Sequence, residues 1–162
     1  MDILSHALWG ATIVRDKELL PLVIGVSIFP DVGSLPQVFE VLGSYYKDYQ
    51  SGIRRNFREL SADWKKIQPS ELALNFYYFF HSFIVWLGIS ILLFLVAKDL
   101  LVISLIYLVH LIIDLSSHKE AKPLFPFSNF RFRGVYFLDN KWVFLINILL
   151  LVVVNTTIIL LF

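Results

Sequence analysis

An all-α, multi-pass membrane helical bundle is the architecture this sequence predicts, and three observations carry the prediction. Hydrophobic residues make up 57% of the chain and mean hydropathy is +0.71, above the roughly 45–50% apolar content of soluble domains. Long apolar runs recur at Leu72–Ala97, Leu100–Leu115 and Trp142–Phe162, and they read as three longer transmembrane helices. The charged residues are gathered into the few connectors between such runs, although the formal net charge is only +1. At 162 residues the chain has room for a single integral membrane domain, 1–162, and no internal repeat or low-complexity tract divides it. Cys is absent. That excludes disulfides and leaves His, Asp, Glu, hydroxyls and water as metal ligands.

Met1–Val14 is a first apolar helix of about three to four turns. It carries Asp2 and His6 where the basic segment of a leader peptide belongs, so it reads as retained. Arg15–Glu18 is a charged connector, and Leu19–Phe29 is a second short apolar run ended by Pro30. Neither run has the roughly 20 residues of an upright span. Together they predict a short N-terminal helical hairpin, either crossing thinned lipid or re-entrant. Asp31–Gly43, with two glycines and Pro36, is a loop or broken helix. In 44–70, Ile53, Phe57, Leu60, Trp64 and Ile67 recur at helical period among Lys and Arg. This predicts a cytoplasmic amphipathic helix on the membrane surface or capping the bundle; a solvated helix packed on its own protein fits equally well.

Leu72–Ala97 is a clear span, Lys98-Asp99 a minimal turn, and Leu100–Leu115 the return, so these two form an antiparallel pair. The segment 116–141 is a polar and aromatic loop, and Trp142–Phe162 is a last apolar helix whose polar residues are Asn147, Asn155, Thr156 and Thr157. Lys and Arg number six in the loop before Leu72 and five in the loop after Leu115, against one in the Lys98 turn. The positive-inside rule therefore puts both basic loops in the cytoplasm and the chain in the inner membrane, with the Arg15 connector and the C-terminus on the far side.

The stretch HLIIDLSSH, His110 to His118, carries the chemistry. His110 and Asp114 stand four residues apart on one helix face, a metal-ligand spacing. They lie among Leu, Ile and Val, where an ionisable side chain at the bilayer centre costs roughly 2.5–3.5 kcal/mol. A bound cation would offset that cost. With the predicted topology, His6, Asp31, His81, His110 and Asp114 all fall in the cytoplasmic leaflet; His81 sits nine residues into its helix, about 13 Å deep. Each has a plainer reading: His81 as an interhelical hydrogen-bond partner, Asp31 as a cap after Pro30, Asp114 as a solvated interfacial carboxylate, His6 as a side chain reaching the headgroups. Those readings give no reason for the five to share a depth. His118 lies about 12 Å along a straight helix from His110 and reads as a solvated loop histidine.

Ser5-His6 followed by Gly10, Pro30-Asp31, His81-Ser82, His110-Leu-Ile-Ile-Asp114 and Pro123-Leu-Phe-Pro-Phe-Ser128 together resemble the predicted membrane-bound metal-dependent hydrolases. That family is also described as LexA-binding, inner-membrane-associated hydrolases, and is more distantly similar to zinc-dependent phospholipase C. The resemblance runs over about residues 2–134. It implies metal-site roles for His6, Asp31, His81, His110 and Asp114, and a Pro123–Ser128 loop folded near the site. Two positions depart from the family pattern. Gly33 stands where a second Asp is common, and Phe76 where another His is common.

The first functional expectation is a hydrolase in which a divalent cation, Zn²⁺ or else Mn²⁺ or Fe²⁺, activates water against a lipid or amphiphilic ester, a phosphoester by preference. Asp31 would orient the water or act as general base, and Arg131 and Arg133 would meet the phosphate or simply set topology. The second is a non-catalytic membrane protein with a structural metal site that binds lipid or a protein partner, a reading the Gly33 and Phe76 departures favour. A cation transporter ranks last, because the outer leaflet offers little beyond Ser90, Ser104 and Tyr107. No nucleic-acid partner is expected.

Overall fold

The computed structural model describes residues 3–54, 68–117, 120–134 and 141–161. Among them every regular element is helical: α1 Ile3–Ile13, α2 Leu20–Ile28, a 3₁₀ turn Phe29–Ser34, α3 Leu35–Gln50, α4 Glu71–Phe80, α5 Phe83–Val96, a 3₁₀ turn Lys98–Leu100, α6 Leu101–Ser117 and α7 Lys141–Leu161. A lone antiparallel bridge, Ala121 with Phe132, closes the loop after α6.

Of the two forms expected for Asp31–Gly43, a loop or a broken helix, the chain takes the second: a 3₁₀ turn runs directly into α3. Pro21, Pro30 and Pro36 each occupy the first turn of α2, the 3₁₀ turn and α3 respectively, where a missing N–H leaves nothing unpaired. The chain therefore runs on from Leu20 to Gln50. That 31-residue stretch is long and apolar enough to cross a membrane; its first part, α2, packs on α1 as the second arm of the expected hairpin, and the correction is to where that arm ends, since the helical path does not stop at Phe29. It ends at Gly52, whose φ of +80° lets Ile53 N–H reach back to the Asp48 carbonyl at 3.0 Å.

The run Leu72–Ala97, expected as one straight span, is broken. α4 and α5 meet at 46°, and only as a pair do they have the length and apolarity of a span. Ser82 makes the break. Its backbone is extended, its hydroxyl oxygen accepts from Ile84 N–H at 3.0 Å, capping α5, and its O–H reaches the Phe125 carbonyl at 2.6 Å. Phe83 N–H donates to the Pro123 carbonyl at 2.9 Å. Backbone groups freed by the break are thus satisfied by the loop after α6, which packs onto it. The predicted amphipathic stripe from Phe57 to Ile67 lies outside the described residues, as does His118.

Val14, just past the end of α1, packs with Val23 of α2 and Ile106 of α6 in an apolar core, with Leu19 and Val102 against it. α1 and α2 approach closely because Gly10 has no side chain: a Cβ there would stand 1.9 Å from Ser27 Oγ. α7 packs on α1. Leu145, Ile146, Leu149, Leu150, Val152 and Val153 on α7, and Ile91, Leu92, Phe94, Leu95 and Val96 on α5, are exposed. Apolar surface of this extent marks contact with lipid or with another protein.

Candidate metal centre

Five side chains from four separate places in the chain converge where α1, the Phe29–Ser34 turn, the α4–α5 break and α6 meet. His6 comes from the first turn of α1, Asp31 from the 3₁₀ turn, His81 from the residue that caps the end of α4, and His110 and Asp114 from successive turns of α6. His6, His81, His110 and Asp114 are buried; Asp31 is partly exposed. All five residues singled out in the sequence are therefore brought together. His81 stands at a helix end and not nine residues inside a continuous helix, so the depth assigned to it is corrected.

The orientations of two imidazoles follow from hydrogen-bond bookkeeping. His110 Nδ1 lies 2.6 Å from the Ser27 carbonyl oxygen and His81 Nδ1 lies 3.0 Å from the Tyr77 carbonyl oxygen. A carbonyl only accepts, so each Nδ1 carries the proton, and in the neutral ring each Nε2 carries a lone pair. Those two Nε2 atoms are 3.5 Å apart. They stand 3.2 Å (His81) and 3.3 Å (His110) from Asp114 Oδ2, and 3.8 and 3.9 Å from Asp31 Oδ1. Four electron-pair donors thus face one point. Ligands held about 2.0–2.1 Å from a tetrahedral ion stand about 3.3 Å from one another, close to these separations.

His6 completes the group from the other side. Its Nε2 is 2.9 Å from Asp114 Oδ1, and its ring stacks on His110 with centroids 3.7 Å apart. His6 Nδ1 and Asp31 Oδ2 are buried with no hydrogen-bond partner among the described residues, a costly condition in apolar surroundings. His6, Asp31, His110 and Asp114 offer ligand atoms that all lie within 4.8 Å of one another, and this cluster can hold a metal ion. The donors are imidazole and carboxylate only, a set that suits Zn²⁺, Mn²⁺ and Fe²⁺.

Around the centre, Tyr77 stacks on His81 with centroids 4.1 Å apart. A cavity of about 10 Å³, room for about one water, lies beside His81 and Asp114 and is walled by Tyr77, Leu111, Ala121 and Pro123. The Pro123–Ser128 loop does fold near the site. The two departures from the resembled pattern also meet: a Cβ on Gly33 would stand 3.0 Å from the Phe76 carbonyl oxygen and 2.9 Å from Phe80 Cβ. That place is filled by packing and supplies no ligand. Arg131 and Arg133, expected to meet substrate, are turned toward Glu120 at 3.1 and 3.8 Å, on exposed side chains. Sequence reasoning missed Ser27 and Tyr77, which act through their carbonyls. It also missed the role of Asn147, whose only signal is an amide in an apolar helix that holds a second one at Asn155. Comparison with protein-family models, with curated proteins and with solved structures finds no match.

Proposed function

We propose that this chain is a membrane-embedded, metal-dependent hydrolase of lipid or amphiphilic esters, phosphoesters by preference. The reading is supported above all by the inward-facing lone pairs of His81 Nε2 and His110 Nε2, fixed by the carbonyls behind them and set beside two carboxylates. His6, Asp31, His81, His110 and Asp114 would hold the ion. A divalent cation, Zn²⁺ in the first instance, supplies Lewis acidity and lowers the pKa of coordinated water. Asp31 is the base. It is the most open of the two carboxylates, with a side chain 14% exposed against 3% for Asp114, and its Oδ2 has no partner among the described residues, so it can take a proton from water and return it to the leaving oxygen. Tyr77 and Pro123 keep bulk water from the cavity.

A multi-pass setting in the inner membrane accords with the exposed apolar faces of α5 and α7, with the Leu20–Gln50 stretch and with the bent α4–α5 pair. The basic loops would be cytoplasmic, and the centre would open toward the headgroups on that side. The second reading, a structural metal site in a protein that binds lipid or a protein partner, is favoured by the small cavity and by the Gly33–Phe76 packing. One experiment separates them. Detergent-purified protein is analysed for metal and then assayed on phospholipids and phosphoesters with and without chelator. Chelator-sensitive hydrolysis, restored by Zn²⁺, is the expected result. Stoichiometric metal with no hydrolysis would support the structural reading, and absence of metal would remove both.

A further inference from the structure

α7 is apolar along its length and, among the described residues, its buried side chains are Asn147 and Leu151. It packs on α1, and it does so through amides. Asn147 Oδ1 accepts from Trp9 Nε1 at 2.9 Å, while its Nδ2 donates to Ser5 Oγ at 3.0 Å. Two turns on, Asn155 Nδ2 donates to Thr12 Oγ1 at 2.9 Å, and its Oδ1 accepts from Arg15 at 3.0 Å. In lipid, where apolar contact alone does little to join helices, such pairs decide which faces meet.

The two rungs differ in where they fall on α1. Asn155 holds the far end. Asn147 holds the first turn, which begins at Ile3 and contains His6. A first turn lacks intrahelical partners for its N–H groups and is the part of a helix that frays. Ser5 is 2% exposed, adjoins His6, and is fixed from α7 by Asn147. His6 in turn places Nε2 2.9 Å from Asp114 Oδ1.

We propose that Asn147 is a positioning residue of the metal centre: through Ser5 it clamps the first turn of α1, and through Trp9 the turn that follows, so that the C-terminal helix sets the place of His6. This rests on the metal reading above. It makes α7 part of the site's support and not only an anchor. By linkage, metal at the centre strengthens the docking of α7 by the same factor as docking strengthens metal binding.

The test is zinc affinity of the full chain in detergent, by competition with a chromophoric chelator. Asn147→Leu is expected to weaken zinc about 10-fold or more. Ser5→Ala removes the same hydrogen bond from the α1 side and is expected to act in the same direction; it carries the test if Asn147→Leu does not fold. Asn155→Leu breaks the other rung of the same helix pair and is expected to stay within about twofold of the parent. In a His6→Ala background, Asn147→Leu should add no further loss. Parent-like affinity in both Asn147→Leu and Ser5→Ala, an equal loss in Asn155→Leu, or a full loss that persists without His6 would overturn the proposal. A parent chain that binds no zinc would remove the metal reading itself, and the proposal with it.

Discussion

His81 and His110 present the same nitrogen to the same carboxylate, yet the chain around them is built in opposite ways. His81 sits at a helix break. Its Nδ1 is held by the carbonyl four residues back in its own helix, at Tyr77, and the break beside it is satisfied by Pro123 and Phe125, some forty residues downstream. His110 sits inside an unbroken helix, and its Nδ1 is held by a carbonyl from another helix, at Ser27. One imidazole is oriented locally and supported at long range; the other is supported locally and oriented at long range. A centre held in both ways is damaged from either side, by different kinds of substitution.

Replacing the group that both rings share should have the largest effect. Asp114→Ala removes the oxygens that lie within 3.3 Å of His6, His81 and His110, and His110→Ala removes a ligand together with its tie to α2. Each is expected to reduce bound metal from stoichiometric to near zero by elemental analysis. Full metal retention in both variants would reject the site. Next comes Gly10→Ala, aimed at the His110 side. The added methyl meets Ser27 Oγ and pushes α2 from α1; overpacking of this kind costs about 1–3 kcal/mol, visible as a lower midpoint of thermal unfolding in detergent. Because the Ser27 carbonyl moves with α2, zinc affinity should fall as well.

Ser82→Ala acts on the His81 side and should do less. The loss of a helix cap costs about 1 kcal/mol, and the freed Phe125 carbonyl loosens the loop. Faster proteolytic cleavage within 120–134 is the readout, and unchanged cleavage would show that the break does not depend on that hydroxyl. Arg131→Gln is the smallest. Its bond to Glu120 is between exposed groups, and such pairs contribute about 0–1 kcal/mol. Thermal stability should be unchanged within that range, and a KM for an anionic substrate that rises with kcat held would return Arg131 to the substrate.

Within the candidate site, the His110–Asp114 pair was legible because its metal-ligand spacing is local to one helix, whereas the approach of His6, Asp31 and His81 to that pair depends on how four elements pack. The α4–α5 break was not. His81-Ser82 lies inside an apolar run, and the groups that stabilise an interruption there belong to Pro123 and Phe125, which no window around residue 81 contains. At Pro30 and Pro36 the local signal marks a change of segment but not its kind: a proline disrupts a helix interior and fits a first turn equally well, and each falls in the first turn of a new segment. Asn147 and Asn155 were visible as polar residues in an apolar helix. Their spacing of eight puts them on one face, but their partners on α1 follow only from the packing.

The donor set has a practical corollary. With imidazole nitrogens and carboxylate oxygens around the centre, and no cysteine anywhere in the chain, the protein offers no thiol to alkylating reagents or peroxide, and no thiolate to draw in soft ions such as copper(I). A zinc-loaded preparation should therefore keep its metal through handling in air without added reductant, and a loss of function under such conditions would have to be sought in the lipid or the ion, not in the ligands.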